Sequence, residues 1–364
     1  MIKKVKLQYQ RREFEKANKN PKETWKLIKT VGNLHKSQSS SSKLFSSSSD
    51  LLSTVNDVNH FFANIGKELA FNITNNLAAQ LPSDPVISPP IQLISSGSRP
   101  NSMALLKTDF VEVEQIINNL KTTSATGWDS IPASLIKSAK HVLVPVLTHL
   151  FNLCPIVGVF PGEFKKALVH PIYKSGDTGS VTNYRPISVL SILSKILEKL
   201  LYRRLTGYLD SFNIIADNQY GFRRGKSTED AILNMTELVA QNFNSKYKTI
   251  GLFLDLSKAF DTVSIPSLME KMLEIGVRGI AYDIFKSYLT DCTQRVIIND
   301  TVSQDEALCY GVPQGSVLGP TLFSIYVNDL CKLSLPNCKI LSYADGTVLL
   351  IHGADWEKSV LMQS

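Results

Sequence analysis

The chain has 364 residues, with ordinary apolar (43%) and charged (20%) fractions and a basic balance of 39 Lys and Arg against 32 Asp and Glu. That length allows one large core or two modest ones, and the composition is that of a soluble globular protein. The five cysteines form no CxxC pair and have no His at metal-ligand spacing, which argues against a cysteine-built metal finger.

The excess charge is local. Residues 1–36 carry eleven basic and three acidic side chains, and residues 160–226 carry eleven and five. Such segments suit a polyanion, although a basic helix face can also be merely solvated. The start, MIKKVKLQYQRR, lacks the apolar stretch of a secretory signal. No apolar run reaches about 18 residues, so no membrane span is expected. With an odd cysteine count, this places the chain inside the cell, in nucleus or cytoplasm.

In chain order, Arg11 to Val31 reads as a basic helix, and the serine-dominated stretch 37–50 reads as a flexible linker. A second loose, Pro- and Ser-rich stretch runs from about Leu81 to Asn101. Asp109-Phe-Val-Glu112 resembles a capping box, with Val113, Ile116, Ile117 and Leu120 on one helical face. Ala167 to Tyr173 has strand character. Ser188 to Leu209 reads as an amphipathic helix striped by Leu190, Leu193, Leu197, Leu200 and Leu201, with Lys195, Lys199, Arg203 and Arg204 on its flanks.

The apolar run from Thr249 to Leu256 predicts a buried strand. Helices are expected over Ile265–Ile275, ended by Gly276, and over Ile280–Leu289. A strand at Arg295–Asn299 and a helix at Leu318–Leu330 follow. The last strands, Lys339–Tyr343 and Thr347–Ile351, are joined through Asp345-Gly346, a favoured hairpin dipeptide. Without strict βαβ alternation, the pattern predicts an α+β fold.

Two aspartates end or interrupt apolar strands: Asp255 in GLFLDLSKAFD and Asp345 in LSYADGTVLL. A carboxylate there is costly unless solvated, paired or bound to a cation. Phosphoryl transfer by two metal ions supplies one reason for it, because carboxylates hold the ions that stabilise attacking and leaving oxygens. A strand-end Asp capping the next helix is the other reading, and periodicity does not choose between them.

The surrounding words do. FLDLSKAFDTV, GVPQGSVLGPTLFSIYVNDL and YADGT closely resemble, in order and spacing, three palm motifs of LINE-type (non-LTR, jockey-like) reverse transcriptases. HPIYKSGDTGSVTNYRPISVLSILSKILEKLLYRRL and NQYGFRRGKSTEDAI resemble their fingers motifs, and SATGWDSIPASLIK resembles a segment leading into the fingers. FEKANKNPKETWKLI and HFFANIG look like linker sequence of jockey-like elements.

The resemblance implies a right-hand polymerase built of fingers and an incomplete palm, with the thumb absent. The implied divisions are a basic arm (1–36), a linker (37–50), a pre-fingers linker region (51–108), fingers (109–248) and palm (249–364). The implied activity is RNA-directed DNA polymerisation with Mg²⁺ (two ions; Mn²⁺ as a substitute), an RNA template, a DNA primer and dNTPs. No membrane partner is implied.

By the same resemblance, Asp255 and Asp345 would bridge the metals and the carbonyl of Leu256 would add a ligand. Phe260 would exclude a ribose 2′-hydroxyl, unless it is an ordinary core Phe. Lys174 and Arg185 would grip the triphosphate, as a point charge and a bidentate fork respectively. Gln314 and Gly315 would pack beneath the nascent base pair, where glycine lets main chain approach closely. Arg223, Arg224 and Lys226 would follow the template phosphates. Asp261 reads as a brace for the following helix.

One position departs from the pattern. The family's last motif has two successive aspartates, and the second is Gly346 here. In the implied mechanism that carboxylate completes the metal site, so a preserved turn with impaired polymerisation is expected. The competing expectation is a non-catalytic nucleic-acid-binding remnant or domesticated fragment.

Overall fold

The computed structural model describes residues 14–16, 24, 50–80 and 101–354, and for 74–80 the backbone alone. Most of the expected basic arm, the serine linker and the Pro/Ser stretch lie outside the described residues.

The elements run as follows: α1 (Leu51–Gln80), α2 (Phe110–Asn118), α3 (Ala133–Ser138), α4 (Lys140–Val157), β1 (Lys166–Tyr173), β2 (Tyr184–Leu190), α5 (Ile192–Ser211), α6 (Thr228–Asn244) and β3 (Lys248–Asp255). They continue with α7 (Ile265–Glu274), α8 (Ile280–Leu289), β4 (Cys292–Ile298), β5 (Thr301–Val302), β6 (Glu306–Leu308), α9 (Gly319–Tyr326), α10 (Asn328–Lys332), β7 (Cys338–Tyr343) and β8 (Gly346–Gly353). Helices and two separate sheets mix as the α+β expectation required.

One sheet has the order β2-β1-β4-β5, with β6 also on β4, and β1 and β4 run parallel. The other is antiparallel, β3-β8-β7, and carries both motif aspartates at one end. The main core is helical. Ile116 and Ile117 of α2, Phe151 of α4, Ile196, Leu197 and Leu205 of α5, Phe285 of α8 and Phe323 of α9 meet there with almost no exposure. Ile172–Tyr184 belong to a compact unit distinct from the one formed by Asp50–Pro171 and Arg185–Ser364.

Local chemistry explains several boundaries. Asp109 caps α2 by accepting from the Glu112 N–H at 2.7 Å, but the Glu112 carboxylate does not reach back as a capping box requires. It pairs instead with Arg204 Nη2 at 2.5 Å and Arg203 Nη1 at 3.1 Å. These hydrogen bonds, Arg204's first, hold it down at about 2. The reciprocal capping box belongs to Ser227 and Asp230 at the start of α6.

The helix expected from Ser188 begins at Ile192. Ser191 caps it, and Ser188–Leu190 finish β2, so Leu190 is not part of the helical stripe. The helix expected over Leu318–Leu330 breaks at Val327 into α9 and α10. β3 forms where expected, yet Leu252, Phe253 and Leu254 are 40–71% exposed rather than buried. Among the described residues β3 is an edge strand, touched by α6 and paired with β8 alone. Among the described residues, α4 is the one helix long and apolar enough to cross a membrane by length and composition. It buries Val144, Leu147, Phe151 and Cys154 while packing on α2 and α8.

Candidate active site

β3 delivers Asp255 at its last position, where it pairs directly with Gly346, the first residue of β8. Tyr343 pairs with the same glycine from the other side, leaving Ala344 and Asp345 as a two-residue loop between β7 and β8. The loop places Asp345 next in sequence to the residue opposite Asp255. Both carboxylates therefore stand at one end of the small sheet, Asp255 exposed and Asp345 half-buried.

The hairpin differs from its expected form. The loop is Ala344-Asp345, and its left-handed residue is Ala344 at φ 57°. Gly346 is an extended strand residue, and a Cβ built on it would meet only the Tyr343 carbonyl oxygen, at 3.6 Å. Backbone geometry does not require glycine here, and a Cβ would make only an ordinary contact. Directly opposite side chains on an antiparallel pair share one face, about 5 Å apart. A carboxylate at 346 would thus stand beside that of Asp255.

Residues 218–221 brace this hairpin from outside. The Tyr220 N–H donates to the Ser342 carbonyl at 2.8 Å, and the Ser342 N–H donates to the Asn218 carbonyl at 2.9 Å. Gln219 Oε1 accepts from the Gly221 N–H at 2.9 Å and the Ala344 N–H at 3.2 Å. A Cβ on Gly221 would collide with the Ala344 main chain. Gln219 and Gly221 were not assigned roles from sequence; the signal was the NQYGF wording itself, which does not say what the segment touches.

The basic loop that follows is partly turned inward. Arg223 Nη1 donates to the Ala216 carbonyl at 2.8 Å, and Lys226 Nζ donates to the Asp217 carbonyl and lies 4.9 Å from the Tyr220 ring centre. Arg224 is exposed.

A second cluster surrounds Phe260. Its ring stacks on Phe323 of α9 (4.9 Å, 19°) and meets Phe222 edge-on (5.9 Å, 82°). Next to it, the Asp261 carboxylate accepts from Gln314 Nε2 at 2.9 and 3.1 Å. Burial raises Asp261 to about 6, against the opposing pull of the Gln314 bond and of Lys258. Asp261 thus holds Gln314, a contact that its expected role of bracing the next helix does not contain. Gly315 has φ +119°, and a Cβ there would stand 2.5 Å from the Ser188 carbonyl oxygen, while the Ser188 N–H donates to the Gln314 carbonyl at 2.8 Å. This is the close main-chain approach that glycine permits.

The loop carrying Gln314 is also tied to α5. The Val317 N–H donates to Glu198 Oε2 at 2.6 Å, and the Tyr288 hydroxyl donates to Glu198 Oε1 at 2.8 Å. Glu198 is fully buried, which pushes it up to about 7 despite those bonds and nearby Lys195. Arg185 is exposed at the start of β2. In its separate unit, Lys174 is exposed, and its N–H donates to the Asn183 carbonyl at 2.9 Å. Leu256, exposed, directly follows β3.

Among the described residues no three His, Cys, Asp or Glu side chains converge as a metal-binding group. Asp255 and Asp345 supply hard oxygen donors of the kind Mg²⁺ prefers. Gly346, opposite Asp255, contributes no side-chain donor.

Residues 172–362 match the family described as reverse transcriptase (RNA-dependent DNA polymerase). The chain is 33% identical over 246 residues to the probable RNA-directed DNA polymerase from transposon BS of Drosophila melanogaster, covering 66% of this chain and 27% of that protein. It is 32% identical over 256 residues to the RNA-directed DNA polymerase from mobile element jockey of the same fly, covering 68% and 28%. The chain therefore spans about a quarter of the length of these relatives. The solved structure of apo telomerase from Candida Tropicalis aligns at 13% identity and a TM-score of 0.41 over 56% of this chain and 47% of that one, too distant to add weight. The chain belongs to the reverse transcriptase (RNA-dependent DNA polymerase) family, on the LINE-type retrotransposon branch.

Proposed function

We propose that this chain is the fingers (109–248) and palm (249–364) portion of an RNA-directed DNA polymerase whose catalysis is impaired at Gly346. The observation that carries the reading is the pairing of Asp255 with residue 346 beside Asp345, at the exposed end of a three-stranded sheet. The substrates are an RNA template, a DNA primer and dNTPs, met in the nucleus or cytoplasm.

Asp255 and Asp345, with the Leu256 carbonyl, would hold two Mg²⁺ ions, which when bound stabilise charge on the attacking and leaving oxygens of nucleotidyl transfer. Lys174 and Arg185 would bind the triphosphate. Phe260, wedged between Phe222 and Phe323, would present a ring edge to the sugar, and Gln314 and Gly315 would support the new base pair. Arg224, together with the inward-braced Arg223 and Lys226, would meet the template.

Primer extension on an RNA template with dNTPs and Mg²⁺ tests this. Gly346→Asp should restore extension, and Asp255→Asn in that background should remove it. A restored protein that still incorporates nothing would show these residues to be misassigned.

Gly346 also supports a second reading, a nucleic-acid-binding remnant without turnover. It predicts RNA binding that weakens steeply with salt through counterion release, with no gain of extension on Gly346→Asp.

A further inference from the structure

Helix α1 lies outside residues 172–362, which match the polymerase family, yet it is fastened to the sheet beside the Phe260 cluster. Val55, Val58, Asn59, Phe62, Ala63 and Gly66 form its buried stripe, at helical spacing. Asn59, 1% exposed, is the fastening. Its Nδ2 donates to the Gln294 and Gln304 carbonyls at 3.4 and 2.9 Å, and its Oδ1 accepts from Gln294 Nε2 at 3.0 Å. Buried amide bonds of this kind fix a helix in register and rotation, because any slip leaves polar groups unpaired.

Seven residues later on the same face, Gly66 meets the main chain of Asp261. A Cβ there would collide with the Asp261 carbonyl oxygen, stand 2.9 Å from its carbonyl carbon, and lie 3.1 Å from the Tyr310 Cβ. Gly311 closes in from another direction: a Cβ on it would come within 3.0 Å of the Asp261 Cα and of the Phe260 and Asp261 carbonyl oxygens. The Gly311 N–H donates to the Val263 carbonyl at 2.8 Å, and the Val312 N–H to the Phe260 carbonyl at 2.9 Å. The Phe260–Asp261 main chain is therefore packed against two glycines, one of them from α1. From this seat the Phe260 ring projects onto Phe323, and the Asp261 carboxylate takes the Gln314 amide. A glycine inside a helix is destabilising relative to alanine, so Gly66 needs a reason of fit, and the Asp261 carbonyl supplies one.

We propose that α1 is a positioning element for nucleotide selection, in which Gly66, held in place by Asn59, sets the main chain of Phe260–Asp261 and thereby the Phe260 ring and the Gln314 amide. The inference rests on the reading of Phe260 and Gln314 as nucleotide-selecting residues. It predicts that a methyl group at position 66 is felt as altered nucleotide choice and not merely as lost stability.

The test uses the chain bound to an RNA template and a dideoxy-terminated DNA primer, so that no turnover is needed. Binding of the next complementary dNTP and of the matching ribonucleotide is measured in Mn²⁺. Gly66→Ala should weaken dNTP binding about three- to tenfold and narrow the preference over the ribonucleotide, since small displacements near a site have large effects. Template–primer affinity and cooperative melting should be retained. Asn59→Ala should act in the same direction, and it decides the matter if Gly66→Ala does not fold. Gly207→Ala, on α5 with open space around its Cβ, should change neither quantity.

Phe260→Val separates the two levels. If it loses selectivity while Gly66→Ala and Asn59→Ala do not, the role of α1 is wrong and the reading of Phe260 stands. If Phe260→Val changes nothing, or no nucleotide binds even when the series is repeated with Gly346→Asp, the underlying reading fails and the inference falls with it.

Discussion

Asp255 and Gly346 are direct cross-strand partners, and the glycine occupies an ordinary extended position with room for a side chain. The position is therefore open to a side chain that the glycine does not supply. In the proposed reading, family membership and catalytic competence come apart at this one pair.

Replacing Gly346 by Asp puts two carboxylates on adjacent strands of one face. Like charges directly opposite are destabilising, by about 0.5 kcal/mol. Without divalent metal, Gly346→Asp should melt slightly below the native chain, and adding Mg²⁺ should reverse the order. Thermal melts with and without Mg²⁺ check both halves; a metal-independent difference would contradict the cross-strand account.

Gly221→Ala should displace the Asp345 hairpin, because the new Cβ would collide with the Ala344 main chain. Overpacking of this kind costs about 1–3 kcal/mol. Hydrogen exchange at Ala344, whose N–H Gln219 accepts, should accelerate far more than exchange in α8. Uniform acceleration would mean global destabilisation instead.

Two buried carboxylates oppose folding at neutral pH. Glu198 stands at about 7 against an ordinary 4.5, and Asp261 at about 6 against 3.8, both chiefly through burial. Groups raised in the folded state favour folding when protonated. Their contribution is present below the ordinary carboxylate range and is lost as pH rises through about 6 to 7. Glu198→Gln keeps an acceptor for the Val317 N–H, so it should flatten the part of the decline in melting temperature between pH 5 and 8 that Glu198 carries, leaving the part due to Asp261. An unchanged slope would remove Glu198 as its source.

Glu112 has the opposite sign. Held at about 2 by Arg204 and Arg203, it stabilises the fold above its ordinary 4.5, and that stability is lost as pH falls toward 2. Glu112→Gln should lower the melting temperature at pH 7 and have little effect near pH 2; because the cluster is partly exposed, solvent screening keeps the loss to about 1 kcal/mol. An equal loss at both pH values would point to packing rather than charge.

Much of this was legible because periodicity and motif wording are local. α8 begins and ends where its apolar spacing says, and the strands around Asp345 are found in place. The same locality explains the misses. Leu190 continues the leucine stripe of α5 in sequence, but the Ser191 cap separates it into β2. An apolar run such as that of β3 does not state which faces will be covered. Asp345-Gly346 suits a turn, but the register β7 and β8 adopt moves the loop one residue back, to Ala344-Asp345. Contacts between distant segments left no local trace: nothing in HFFANIG announces that Gly66 will rest against Asp261, or in NQYGF that Gln219 will hold the hairpin.

The most direct measurement is Mn²⁺ binding by electron paramagnetic resonance, comparing the native chain, Gly346→Asp and Gly346→Asp with Asp255→Asn. Weak binding is expected of the native chain, a gain of about tenfold or more in affinity on placing aspartate at 346, and loss of that gain without Asp255. Equal binding by all three would contradict the assignment of Asp255 and position 346 to one metal site.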